Sequence, residues 1–238
     1  MDVFGEALLN REAGNHGKML TIRRDDDHTD SHDPDLYFAG EPFEHEAELL
    51  VNAEGPVLDV GCGAGRTLLW LKQKGIKATG IDLSPGAVEV SRLRGCQDVF
   101  HGDVMADGLD LLGTRAFQTA VLFGNNVGIG GTIEGAVVLL KRIAQVTKPG
   151  GQLFITGLDI AQTDNPIHLD YHRANRSKGR PRGEITMRFE YEGQIGDWVP
   201  WFHPEPDELD RLALEAGWDV TGIEPASGPF YAATLRKP

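Results

Sequence analysis

From about residue 41 onward, apolar runs of strand length alternate with segments whose apolar positions recur at helical spacing, the pattern of βαβ units around a parallel sheet. EPFEHEAELLVNA (41–53) sets Phe43, Ala47 and Leu50 at helical intervals behind a proline suited to a first turn. PVLDVG predicts a buried strand, LLWLKQKG a helix stopped at Gly75, KATGID a second strand, and SPGAVEVSRLRG a helix with Ser84 as N-cap and Pro85 behind it. DVFHGD, FQTAVLFG and GGQLFITGL continue the strands, and TIEGAVVLLKRIAQVTKPGG supplies a helix capped by Thr132 and ended by Pro149 and two glycines. Five strands are thus expected by residue 158.

Residues 159–184 lose apolar periodicity, after which ITMRFEYEG and DWVPWFH predict an antiparallel hairpin turned around Gly193 and Gly196. PEPDELDRLALEAG predicts a last helix, and WDVTGIEP and FYAATLRK two strands that close one edge of the sheet. The segment RDDDHTDSHDPD carries six aspartates and two histidines in 12 residues and predicts a solvated loop. The expected organisation is therefore an N-terminal cap segment with an acidic loop (1–40), a core (41–158), an inserted flap (159–203), and a helix with edge strands that return to the core (204–238). No internal repeat is visible.

Twenty-three Lys and Arg against 36 Asp and Glu give a formal net charge of −13, a field that repels nucleic-acid phosphates and anionic membranes. Cys62 and Cys96 are the only cysteines, too few for a disulfide framework or a four-cysteine zinc site, and they fit a reduced, cytoplasmic compartment. MDVFGEALLNRE has acids where an export signal would be basic, and no apolar run approaches the ~18 residues of a membrane span. The expected partner is a small molecule, with no nucleic acid and no membrane, and the chain is expected as a monomer or homodimer. DDDHTDSHD lacks the spaced ligand scaffold of a zinc or calcium site, so no metal is expected.

The informative string is VLDVGCGAGR, between a predicted strand and a predicted helix. Its glycines allow a sharp turn and let a ligand approach the backbone at a helix N-terminus. A dinucleotide fingerprint would need glycine or alanine at position 66, which is Arg66; the third glycine falls at 65. An acid, Asp59, precedes three alternating glycines, which suits a ligand with a cationic amino-acid portion better than a pyrophosphate.

Asp59, Gly61, Gly63 and Gly65 after a strand are similar to the first motif of class I S-adenosylmethionine-dependent methyltransferases. Asp82 in GIDLS, 17 residues after Gly65, stands about where an acid accepts hydrogen bonds from both ribose hydroxyls. Asp103 in HGDVM matches the acid that meets the adenine amino group, and KPGGQLFITG resembles the family's fifth-strand segment. The four matches run in order over residues 55–158. The resemblance implies an α/β, Rossmann-like fold: a mostly parallel seven-stranded sheet with helices on both faces, here with an inserted loop and β-hairpin flap after strand 5. It also implies S-adenosylmethionine as cofactor, S-adenosylhomocysteine as product, and cofactor contacts from Asp59, Gly61, Cys62, Gly63, Gly65, Asp82, Leu83, Asp103, Val104 and Asn125. The opening DVFGEALLN, the YHRANRSKGRPRG segment and the closing AGW resemble a group of bacterial methyltransferase-domain proteins, which implies no particular acceptor.

Methyl transfer needs in-line approach of a nucleophile, and positioning alone supplies up to ~7–11 kcal/mol. Asn125 and Asn126 in FGNNVGIGG leave the carboxyl end of the fourth strand, the edge where open α/β folds bind ligands. The two prolines and aromatic that follow this point in base- and glutamine-methylating branches are absent. Arg173 and Arg182 in the insert would pair with an anionic acceptor, with Tyr171 beside them; the same cluster also reads as a solvated or oligomer-facing loop, or as a nucleic-acid contact. His168 and His172 lie four apart and are the candidate general bases, surface or structural histidines being the alternative. Tyr37 either covers the cofactor or packs in the core. The expected activity is methyl transfer to a small molecule, with anions among the candidate acceptors; a cofactor-binding protein without turnover and an RNA methyltransferase are the competing readings.

Overall fold

The computed structural model describes residues 1–113 and 117–238. The chain opens with helix α1 (Val3–Glu12), strands β1 (Leu20–Arg24) and β2 (Thr29–His32), and helix α2 (Glu44–Leu50). A β/α alternation follows: β3 (Val57–Val60), α3 (Arg66–Gln73), β4 (Ala78–Asp82), α4 (Pro85–Leu93), β5 (Val99–His101), β6 (Phe117–Leu122), α5 (Ile133–Val146) and β7 (Thr147–Leu158). The remainder is α6 (Pro166–Ser177), β8 (Glu184–Tyr191), β9 (Gln194–Ile195), β10 (Val199–Phe202), α7 (Pro206–Glu215), β11 (Asp219–Pro225) and β12 (Phe230–Arg236).

The main sheet has seven strands in the order β11-β12-β7-β6-β3-β4-β5. β3 to β7 pair in parallel, whereas β12 runs antiparallel to β7 and β11 antiparallel to β12, as expected for a Rossmann-like sheet closed by two C-terminal strands. Strand alternation divides the core. Leu58, Val60, Leu122, Leu153 and Ile155 face α5 and α7, which supply Leu139, Leu140, Ile143, Leu209 and Leu212. Val57, Val121 and Phe154 face the other way, against Leu50 of α2 and Trp70 and Leu71 of α3. The central strands β3 and β6 are covered on both faces, so their buried runs are nearly continuous, whereas the edge strands β5 and β11 are largely open.

A second, antiparallel sheet in the order β10-β8-β1-β2, with β9 on β8, differs from the sequence expectation. The acidic stretch at 24–35 is not a solvated loop: Thr29–His32 is an edge strand on β1, and β1 pairs with β8 of the insert. Its aspartates have partners contributed from elsewhere. Asp25 accepts from the Tyr171 hydroxyl at 2.7 Å, Asp26 accepts from Arg24, and Asp35 pairs with Arg11. Local composition could not reveal these, since two of the three partners lie outside the stretch. The insert also contains a helix where no periodicity was visible. Asn165 accepts from Ile167 N, Pro166 occupies the first turn, and only Tyr171 and Asn175 of α6 are buried, too few for an apolar stripe. The hairpin predicted at Gly193 is present, turning through Glu192 and Gly193, both at positive φ.

Candidate active site

The carboxyl ends of β3, β4, β5 and β6 carry the residues singled out above. Between β3 and α3 the chain turns through Gly61 and Gly63, at φ +73° and +53°. A Cβ on Gly61 would lie 2.4 Å from Asn126 Nδ2, while one on Gly63 would meet only the Tyr37 ring, at 3.8 Å. The loop is thus propped from below and open above, a backbone cradle. Gly65 closes it and opens α3. Cys62 contributes packing: its buried side chain joins Leu68, Val88, Cys96 and Val99, and burial pushes its thiol pKa well up.

Asp82, the last residue of β4, is buried and accepts from Gly63 N and Ser84 N, each at 2.8 Å. Burial raises its pKa and the two amides oppose the rise. A carboxylate has about four lone-pair sites, so further donors can be received. Leu83 beside it is 65% exposed, and Asp103 beyond β5 accepts from Met105 N. Val104 is buried, its carbonyl held by Arg142 Nε at 2.7 Å.

Asp59 lies within β3, 3% exposed, and its carboxylate makes no hydrogen bond among the described residues. Burial pushes its pKa to about 7, Arg66 pulls it down, and Glu46 and Asp82 push it up. Arg66 itself forks onto fully buried Glu46 and stacks under Phe43 at 4.4 Å. Glu46 also accepts from Phe43 N at 3.0 Å, closing the first turn of α2. Neither Glu46 nor Arg66 was expected to matter. The signal was an acid at i+3 in the stripe Phe43, Glu46, Ala47, Leu50, where only a paired carboxylate tolerates burial.

Tyr37 stands over the glycine loop, its ring edge-on to Phe4 at 5.1 Å, and its hydroxyl pKa is pushed up to about 12 by burial and the Asp82 charge. Arg94 holds this segment down by donating to the Tyr37, Phe38 and Ala64 carbonyls. Asp2 fastens the other end, accepting from Gly5 N, Ser84 Oγ and Gly86 N, so one carboxylate caps α1 and touches the start of α4.

Asn125 adopts φ +66°, with its N–H on Thr156 O at 3.2 Å and its Oδ1 buried without a partner. Asn126 is already committed: its amide donates to Val60 O at 2.8 Å and Gly61 O at 3.0 Å, so it shapes the cradle rather than facing an acceptor.

The insert residues are not gathered at this edge. His168 Nδ1 accepts from Arg24 at 3.1 Å and its ring meets His28 edge-on at 4.9 Å. His172 is pushed down to about 4 by burial and then by Arg182, His168 and Arg24. Both histidines belong to the seam between α6 and the β1–β2 hairpin, as does Tyr171, which stacks on Arg24 at 4.1 Å. Arg182 forks onto Glu205, and Arg173, 67% exposed at its side chain, pairs with Asp170. Each arginine thus has a carboxylate beside it. Among the described residues no helix is long and apolar enough to cross a membrane, and no three His, Cys, Asp or Glu residues are grouped to hold a metal.

Comparisons agree with this geometry. A methyltransferase-domain family model matches residues 57–151, from β3 into β7. A cypemycin N-terminal methyltransferase from Streptomyces is 31% identical over 199 residues, 76% of this chain and 80% of that protein. A ubiquinone biosynthesis O-methyltransferase from Xanthomonas oryzae is 29% identical over 106 residues, a match that spans 43% of each protein, under half the relative's length. Among solved structures, a methyltransferase from Bacteroides fragilis in complex with S-adenosyl-L-homocysteine superposes at a TM-score of 0.83, with 24% identity, covering 98% of this chain and 94% of the other. Glycine cradle, two buried acids and these relatives agree, and the chain belongs to the class I S-adenosylmethionine-dependent methyltransferases.

Proposed function

We propose that this protein transfers a methyl group from S-adenosylmethionine to a small-molecule acceptor held between the carboxyl edge of the main sheet and the second sheet. The observation that carries the reading is the pair of buried carboxylates, Asp59 and Asp82, flanking an open glycine cradle. The cofactor would supply a methyl group on a positively charged sulfur. Asp82 would receive its ribose hydroxyls, Asp103 its adenine amino group, and Leu83 would lie against the adenine, which accounts for an apolar side chain left 65% exposed. Gly61, Gly63 and Gly65 admit the amino-acid portion, with Asp59 as the opposite charge, and Tyr37 closes over it.

The chain's own contribution to the rate is then mainly alignment and exclusion of water, with up to ~7–11 kcal/mol available from holding reactants in line. One named relative is an O-methyltransferase and another an N-terminal methyltransferase, which supports a hydroxyl and an amine as acceptors. The test is single turnover with methyl-labelled S-adenosylmethionine and a metabolite panel. Label should move to a panel compound with stoichiometric S-adenosylhomocysteine. Tight cofactor binding with no transfer to any panel compound defeats the reading.

Asp59 gives this reading a pH dependence. Its pKa is raised from 3.8 to about 7, so between about pH 4 and 7 the folded protein holds a proton that the unfolded chain has released. Asp59 therefore favours the ligand-free fold at low pH, and that contribution is lost as pH rises toward 7. A cationic ligand needs the ionised form, so affinity should climb with pH and level off above about 7. Calorimetry at pH 6 in buffers of different ionisation enthalpy should register proton release approaching one per ligand. Zero or net uptake would remove Asp59 as the cation's partner.

A further inference from the structure

Among the described residues, four buried side-chain atoms have no hydrogen-bond partner, and two of them, Asn125 Oδ1 and His203 Nδ1, belong to segments that meet at the carboxyl ends of β6 and β7. Buried polar groups are nearly always paired, so each such atom needs an explanation. Asn125 follows β6, and Thr156 of β7 holds it in a left-handed conformation, accepting Asn125 N–H through its carbonyl and Gly124 N–H through its hydroxyl. Strained non-glycine residues of this kind concentrate at ligand sites.

His203 follows β10. Its N–H donates to Gly183 O at 2.9 Å, and strand alternation sets its side chain on the face that carries Trp201. Trp201 is pressed on Gly128, just beyond Asn125, where a Cβ would lie 2.0 Å from the indole nitrogen. On the other flank Pro204 O accepts from the Tyr231 hydroxyl, and the Tyr231 ring covers Gly157 near the end of β7. His203 is therefore fastened over the ends of β6 and β7, the same edge from which Asn125 projects. Burial alone pushes its pKa down to about 4, with no contribution from any charged side chain, so the imidazole is neutral at ordinary pH. Of the insert's arginines, Arg182 has Glu205 and Arg173 has Asp170 beside it, while Arg180 Nε is a further buried atom without a hydrogen-bond partner among the described residues.

We propose that Asn125 Oδ1 and His203 Nδ1 select the methyl acceptor as a hydrogen-bond donor, an amine or a hydroxyl rather than an anion, and that His203 receives its proton. This deepens the methyltransferase reading and rests on it. As the nucleophile's lone pair bonds to the methyl carbon of S-adenosylmethionine, the carbon–sulfur bond breaks with its electron pair left on sulfur. The N–H or O–H proton passes to His203 Nδ1 and then to water. A neutral imidazole with one bare nitrogen is suited to this, and proton transfer of this type contributes ~10²–10⁴-fold.

The test uses the full chain saturated with S-adenosylhomocysteine, ¹⁵N-histidine NMR, and phenol and benzoate as a matched donor and anion. His203 Nδ1 should be unprotonated at pH 7 and should shift on adding phenol but not benzoate. Phenol affinity should fall about 5- to 10-fold in both His203→Phe and Asn125→Ala, the loss of one hydrogen bond each, while S-adenosylhomocysteine affinity of the His203→Phe protein stays within about twofold. A protonated Nδ1, no response to phenol, benzoate binding as well as phenol, or unchanged phenol affinity in both variants overturns the proposal. Loss of S-adenosylhomocysteine affinity along with phenol affinity in His203→Phe also overturns it, since that residue would then be structural. Wild-type protein that fails to bind S-adenosylhomocysteine instead removes the parent reading, and this one with it.

Discussion

Replacing Arg66 by leucine should lower folding stability by about 3–5 kcal/mol at pH 8, the cost of breaking a buried ion pair by deleting one partner. The guanidinium serves two carboxylates, gripping Glu46 and lowering the pKa of Asp59, and neither has another cation beside it among the described residues. Leucine fills part of the volume under Phe43 but leaves two acids in an apolar setting. Burial then favours the protonated form of Asp59 in the folded state, so the deficit should shrink as pH falls. Urea melts of wild type and variant at pH 8 and pH 5 decide this. A deficit of equal size at both pH values would show that Arg66 acts by packing alone. The lower end of the range is the better expectation, because the arginine side chain keeps 12% of its surface in water.

Asp82→Ala is expected to weaken S-adenosylhomocysteine binding at least ~100-fold. Charge-assisted hydrogen bonds to the ribose are worth about 1.5–3 kcal/mol, or roughly 10- to 100-fold. The substitution also releases Gly63 N and Ser84 N, and with them the glycine cradle and the first turn of α4. Asp82→Asn keeps the shape and one accepting oxygen and should fall between the two, near ~10-fold. Calorimetric titration of the three proteins reads both effects. Affinity within threefold of wild type for the alanine variant would place the ribose elsewhere.

The core was readable because its physics is local. Val57 to Val60, Ala120 to Leu122 and Leu153 to Ile155 are buried runs bounded by glycine and proline, and the turn at Gly61 to Gly65 needs residues without side chains whatever the rest of the chain does. Asp82 stands where its spacing from Gly65 put it, at the end of β4 beside the glycine turn. What escaped depends on partners far away in sequence. Thr29 to His32 becomes a strand only because β1 is already held by β8, and Glu46 is buried only because Arg66 reaches it across 20 residues. The partner of Arg182 escaped in the same way, because charge counting along the insert cannot see Glu205, supplied by the cap of the next helix. His203 offered no sequence signal, since one histidine at a strand end is ordinary until its surroundings are known.

The pairing of β1 with β8 has a consequence for synthesis. Arg23 and its ion-pair partner Glu190 are separated by 167 positions, so at ~5–20 residues per second the hairpin emerges from the ribosome roughly 8–30 s before its neighbour exists. Through that interval an unpaired strand edge is open to the wrong companions. Asp25 meets Tyr171 only after α6 has been made, and until then the run of aspartates is a row of like charges that keeps nascent chains apart. Neutralising those aspartates should therefore reduce soluble yield from cells more than it reduces the melting temperature of whatever protein is recovered.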